Sequence, residues 1–308
     1  MGPKIKTYQC AERGNHQMGR AIQGMMYAES RSGQSALRRG GDSFSIAGIT
    51  VFAGLAFAGF AKVDVPAACS HPKGDEPMEL NANFNERVAV HADGVAWTPS
   101  PIPGVDRRML DRIGGEIARA TSIVRYGPKS KFSPHVHTGG EEFFVLEGVF
   151  QDEHGDFPAG SYIRNPPESS HAPGSVPGCT IFVKLWQFDL ADRAHVRIDS
   201  NKMKFVTVAT RPGVEVLPLF HDRREDVSLE RWYANTDIHL DALNGLEVLV
   251  LDGGFQEGGD TFTRHSWLRL PKGGGALVTS SASGARVWIK RNHLATPPQA
   301  PRTGSRRS

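Results

Sequence analysis

Cysteine is scarce: the 308-residue chain has three, Cys10, Cys69 and Cys179. They stand far apart and form no C-x-x-C, which excludes a disulfide scaffold and a cysteine-rich zinc site. A surplus of one charge is missing too, since 36 Lys and Arg face 33 Asp and Glu. The net +3 sits at the ends. Residues 1–77 carry +3 and the tail 297–308 another +3 through Arg302, Arg306 and Arg307, which leaves 78–296 at −3. A phosphate-binding groove needs Lys and Arg clustered on the folded part, so a nucleic-acid partner is not expected. A membrane-length apolar run is also lacking. The uncharged stretch Ile46–Ala61 has 16 residues, about 24 Å as a helix against a hydrocarbon core of about 30 Å. No G-x-S-x-G elbow occurs, so Ser-His-Asp hydrolysis is not indicated.

The residues that are present fall into unlike parts. Residues 1–44 are polar and rich in Gly, Ser and Arg, and the apolar run comes next. Three readings of 1–77 stand side by side. It is a leader without function, the working protein beginning at Met78; a signal peptide, with Arg38-Arg39 in front and Ala56-Phe57-Ala58 as a cleavage-like site; or a membrane anchor. Nothing in 1–77 looks built to pack against the rest of the chain, which favours the first and a cytoplasmic location over export or anchoring. From Met78 the chain turns to short runs rich in β-branched and aromatic residues, broken by Gly, Pro and Asp. Ala120–Tyr126, Glu142–Phe150, Thr180–Phe188, Leu246–Gly253 and Arg286–Lys290 read as strands of an all-β sandwich or barrel. Residues 296–308 read as a disordered tail.

An internal repeat organises this part. Gly140–Pro167 and Gly245–Lys272 align without a gap at an offset of 105. The offset pairs Gly140 with Gly245, Glu142 with Glu247, Gly148 with Gly253, Phe150-Gln151 with Phe255-Gln256 and Arg164 with Arg269. Two copies of one β-domain are expected, at 78–200 and 201–295, with the boundary near Asp199–Lys204.

The first copy carries a constellation suited to a metal. His135 and His137 are two apart, so on an extended segment they face the same way. A Gly139-Gly140 turn brings back a carboxylate at Glu141, and His171 lies 36 residues after His135. Three imidazoles and one carboxylate suit zinc or iron, with manganese, nickel or copper compatible. The second copy has Leu240, Ala242, Leu246 and Ala276 at these four positions. All four candidates vanish together, as expected if they serve one ion. Glu142 persists as Glu247 in the copy without a site, so Glu142 reads as scaffold and Glu141 as ligand.

The block His135, His137, Glu141, Gly148 resembles the first motif of the metal-binding cupins, G-x5-H-x-H-x3-4-E-x6-G, except that Gly127 lies two residues too early. Pro158 and Gly160 fit the second motif, G-x5-P-x-G-x2-H-x3-N, but the histidine comes late, at His171, after Asn165-Pro166-Pro167. That departure, the segment around Trp97 and Ser266–Pro271 are most similar to the ChrR-type cupins, over roughly 85–295. The resemblance implies two jelly-roll domains in tandem, preceded by an irregular segment. It also implies a metal-binding bicupin responding to small molecules or oxidants. Whether the chain is an enzyme stays open; the alternative is a non-haem iron dioxygenase of the acetylacetone- or hydroxyacetophenone-cleaving kind. The family's anti-sigma module binds zinc through His-x3-Cys-x2-Cys, and 1–77 has no such motif. A sigma-factor partner is therefore not supported. A small molecule or dioxygen at the metal is the expected partner, and a homodimer is compatible.

Other residues have ordinary readings. His154, His221 and His293 have no companions in sequence, and His265 reads as structural. Cys179 reads as a buried thiol. Arg107-Arg108 and Arg223-Arg224 read as solvated turns or inter-domain ion pairs. His239, Asp241 and Glu247 are a weak candidate for a degraded second site without a fourth ligand.

Overall fold

The structure is a computed structural model and describes residues 78–115 and 117–301. The readings made for 1–77 and 302–308 lie outside the described residues. Among the described residues there is no α-helix, only strands and two 3-10 turns. No helix there is long and apolar enough to cross a membrane.

The strands form two large antiparallel sheets. The first runs in the order Met78–Leu80, Val105–Gly114, Ala118–Tyr126, Cys179–Leu185, Glu141–Asp152, Ser161–Asn165 and Val196–Asp199. The second runs Val206–Thr207, Val214–His221, Asp226–Trp232, Gly274–Arg291, Leu246–Glu257, Ser266–Leu270 and Val88–His91. Two cupin-type jelly rolls thus stand in tandem. The chain passes between them through the 3-10 turn Ser200–Lys202. Val88–His91 lies in sequence between two strands of the first sheet, Met78–Leu80 and Val105–Gly114, yet completes the sheet of the second, pairing with Ser266–Arg269. The expected strands are present, four with longer limits and one shorter. Arg286–Lys290 is the end of an 18-residue strand, and the run through Phe188 stops at Leu185.

The repeat holds residue by residue. Glu141–Asp152 and Leu246–Glu257 are both 12-residue strands at the 105 offset. Both carry a bulged residue at the same place, Leu146 opposite Thr180/Ile181 and Leu251 opposite Arg286/Val287, and the second strand has a further register shift between Gly253 and Phe255. Gly148 and Gly253 come two residues later, both with positive φ (70° and 67°). A Cβ there would lie 2.0 Å from the Gly178 carbonyl oxygen and 2.2 Å from that of Gly284. Only glycine fits both the space and the conformation.

Strand alternation separates two environments. Phe143 and Val145 face the interior of the first barrel with Phe150, Ile163 and Ile181. Phe144 faces the other way, into a layer between the halves with Leu110, Ile123, Tyr162, Phe182, Leu249, Trp267 and Trp288. The ring centroids of Phe182 and Trp288 meet there at 5.0 Å. Full burial of such side chains stabilises by roughly 1.5–3 kcal/mol each.

The same layer holds reciprocal buried ion pairs. Lys290 of the second half reaches Glu142 of the first at 2.5 Å, and Lys184 of the first reaches Glu247 of the second at 2.5 Å. Arg164 pairs with Glu225 at 2.8 Å and Arg269 with Asp111 at 2.9 Å, again across the halves. Burial alone would raise the Glu142 carboxyl, but Lys290 and Arg164 outweigh it and hold its pKa at about 2. Tyr162 and Trp267, equivalents at the same offset, donate to Glu142 and Glu247. Glu142 and Glu247 persist in both copies because both clamp the two halves.

Candidate metal centre

The site is built where two short strands meet the start of a long one. His135–His137 pairs antiparallel with Ser169–His171, which sets His135 opposite His171. Gly140 N–H donates to the His137 carbonyl at 3.1 Å and closes the turn that returns the chain. Glu141 then opens its strand opposite Asn165. Glu141, Phe143 and Val145 share the inward face, whereas Glu142 points into the layer between the halves. Adjacent residues of one strand cannot both serve one ion, and the inward one is Glu141.

The three imidazoles converge. Ring centroids are 4.8 Å apart for His135–His137 and His137–His171, and 5.3 Å for His135–His171. One ring nitrogen from each lies within 4.8 Å of the others, an arrangement that could hold a metal ion. His137 Nε2 is 2.9 Å from His171 Nε2, and the Glu141 Oε2 atom is 3.5 Å from each. His171 and Glu141 are buried, His137 is half-buried and His135 is exposed. The three predicted histidines are therefore brought together, with His135 on the solvent side, and the predicted Glu141 stands beside two of them, His137 and His171.

Groups behind the cluster fix its orientation. His171 Nδ1 meets Asp152 Oδ2 at 3.3 Å, and His135 Nδ1 donates to the Ser133 carbonyl at 3.1 Å. These bonds occupy the Nδ1 atoms and leave Nε2 for an ion, as ligating histidines require. Asn165 Nδ2 donates to Glu141 Oε2 at 3.3 Å. Burial disfavours charge on His137, and despite the opposing Glu141 its pKa is lowered. Burial opposes charge on His171 as well, but the Asp152 hydrogen bond and nearby carboxylates prevail and its pKa is raised. The donor set fits a transition metal: three imidazoles and one hydrogen-bonded carboxylate from two strand ends and a turn.

Asp152 and Asn165 carry no signal in the motif. Asp152 is eleven residues after Glu141 on the same strand, and only the fold returns it to His171. The second barrel has filled the corresponding space. Leu240, Ala242 and Leu246 are fully buried in its core, with Ala276 packed against them. His239 and Asp241 are exposed on the outer face, while Glu247 is bound to Lys184 and His293 on the inner layer. They do not form a second site. His293, without companions in sequence, is buried against Glu247 at 2.7 Å, and burial lowers its pKa to about 4. Cys179 is buried, and burial raises its thiol pKa to about 11. Arg108 pairs with exposed Asp93 and lies over Trp97.

Residues 85–189 match the family model of the ChrR cupin-like domain. Among solved structures, a candidate dioxygenase from Nostoc punctiforme superposes with a TM-score of 0.53 at 14% identity. That match covers 75% of this chain and 88% of the other. A candidate glyoxylate-induced protein from Pseudomonas aeruginosa gives 0.54 at 12% identity over 77% and 97%. At such identities the likeness is one of fold, and it extends well beyond 85–189. A stretch of 73 residues is 42% identical to glutathione S-transferase 2 of Saccharomyces cerevisiae, covering 22% of this chain. The chain spans 29% of that relative's length, and the transferase's activity is not carried over.

Proposed function

We propose that the first barrel, with its ChrR cupin-like domain, holds one divalent transition metal through His135, His137, His171 and Glu141. Zinc and iron are the leading candidates, with manganese, nickel and copper compatible with the same donors. The protein then acts as a regulatory module in which a small molecule or an oxidant displaces ligands of this ion and so changes the state of the domain. The observation that carries the reading is the convergence of three imidazoles, with Glu141 beside His137 and His171 and with His135 left exposed. His171 and Glu141 hold the buried side, Asp152 and Asn165 keep them aligned, and the His135 side is where a ligand enters. When bound, the ion supplies a Lewis-acid centre with positions open to exchange. The test is peroxide treatment of the metal-loaded full chain, with release tracked by a chromophoric chelator. Release at low excess of oxidant is expected; an ion that stays in place contradicts the oxidant-responsive reading.

A second reading, a non-haem iron dioxygenase cleaving a carbon–carbon bond next to a carbonyl, is favoured by the same exposed side. A β-diketone or hydroxy-ketone and dioxygen would both need access there, and His135 and Val136 border solvent. Glu141 would stay as a ligand or move aside as a base. Oxygen uptake by the iron-loaded protein with such ketones is the expected result. No uptake across a broad panel contradicts it.

A further inference from the structure

The two copies differ as a set at a second place. A cavity of about 200 Å³ opens between the halves, with Phe144, Leu146 and Leu251 on its apolar side. Leu146 and Leu251 are the equivalent bulged residues of the two long strands, so both copies meet there. Its polar side is not shared equally. The second half contributes Arg264, His265 and Arg286. The first half has Ala159 and Gly160 at the 105 offset. Opposite Glu147, where the second half sets Arg286 opposite Asp252, it has Thr180.

Three features mark this side as more than surface charge. His265 is only 8% exposed, and among the described residues its ring has no hydrogen-bond partner. The nearest acid, exposed Asp93, is 3.8 Å from Nδ1. His265 also has a φ of +64°, where the first copy uses Gly160 at +94°. Such a conformation is unfavourable for a residue with a Cβ and points to a constraint beyond packing. Burial and the neighbouring Arg264 lower its pKa, which leaves a neutral ring with one N–H to donate. Arg286 is half-buried, and among the described residues its guanidinium has no hydrogen bond or ion pair. Arg264 lies at the rim, bonded to exposed Glu147 at 2.7 Å.

We infer that this cavity is a second ligand site, built for a small monocarboxylate with a short apolar body. The carboxylate accepts from Arg286 and His265, with Arg264 at the rim. The apolar part lies on Phe144, Leu146 and Leu251. The volume admits about eight non-hydrogen atoms, since a cavity of about 150 Å³ accommodates the six of benzene. None of the four metal-site residues lines it, so it stands apart from the metal reading.

Benzoate is the probe, with neutral benzamide as its isostere, titrated into the full chain by calorimetry and ligand-observed NMR. Saturable benzoate binding is expected, at least tenfold weaker for benzamide, and equally reduced in Arg286→Gln. His265→Gly copies the first half and relieves the backbone, so it folds at least as well; it too should lose benzoate. Binding should persist in His171→Ala. No saturation up to about 10 mM benzoate, the weak end of specific binding, overturns the inference. So does equal binding by Arg286→Gln and His265→Gly. Benzoate binding lost in His171→Ala and kept in the other two variants places it on the metal and overturns the inference as well.

Discussion

The two barrels share strands, bulges and turn glycines, yet one gathers His135, His137 and His171, with Glu141 beside the last two, where the other packs Leu240, Leu246 and two alanines. The residues that face the partner half did not diverge in this way. Glu142 and Glu247, and Arg164 and Arg269, still make matching contacts across the layer between halves, and Tyr162 and Trp267 still donate to those glutamates from within each half. The difference teaches that a barrel interior can exchange a cluster of metal-type donors for a packed core without disturbing the outside of the same strands. Period-two alternation makes the two faces independent.

Breaking the shared face should have the largest effect on stability. Lys290→Met leaves Glu142 charged and buried without its main partner, at a cost of about 3–5 kcal/mol. Adding Glu142→Leu should restore most of that loss in urea unfolding. If the single change is harmless, the reciprocal pairs do not clamp the halves.

The unlike interiors come next. Leu240→Ala, in the fully buried core of the second barrel, should cost about 2–5 kcal/mol. His135→Ala, at the equivalent but exposed position, should change the stability of the metal-free protein by no more than about 0.5 kcal/mol. Equal costs would mean that the two interiors do not differ as described.

Two histidines sharpen the comparison through pH. His293 has its pKa lowered to about 4 in the folded protein against 6.5 in the unfolded chain. The unfolded state therefore takes up the proton first, and stability is full above pH 6.5 and falls as pH drops towards 4. The loss approaches about 3 kcal/mol, and His293→Gln should flatten that slope. His171 has the opposite sign: its raised pKa gives the metal-free protein stability at low pH that is lost as pH rises above 6.5. An unchanged slope in His293→Gln would contradict the assignment.

The smallest effect concerns alignment of the metal site. Asp152→Asn weakens the anchor on His171 and should lower metal affinity about 10- to 100-fold, read by chelator competition. Its equivalent, Glu257, instead binds Arg87 and should have no influence on the metal.

The duplication and the four clustered residues were legible because a gap-free offset exposes positions that change as a set. The choice of Glu141 over Glu142 came from the same alignment, and in the structure the two side chains lie on the inward and outward faces of one strand. The anchors Asp152 and Asn165 were not legible, since their partners depend on strand register rather than spacing. His293 looked ordinary because Glu247 lies 46 residues away in sequence. The strand Val88–His91 gives no local sign that it completes the other half's sheet. Such a crossing is decided by long-range pairing, which local pattern does not encode.

The most direct measurement is metal content at saturation, by elemental analysis of the full chain beside His135→Ala/His171→Ala. One equivalent per chain in the parent and none in the double variant, with both folded by circular dichroism, is the predicted result. Two equivalents in the parent, or an equivalent retained in the double variant, would contradict a single ion held by the first barrel alone.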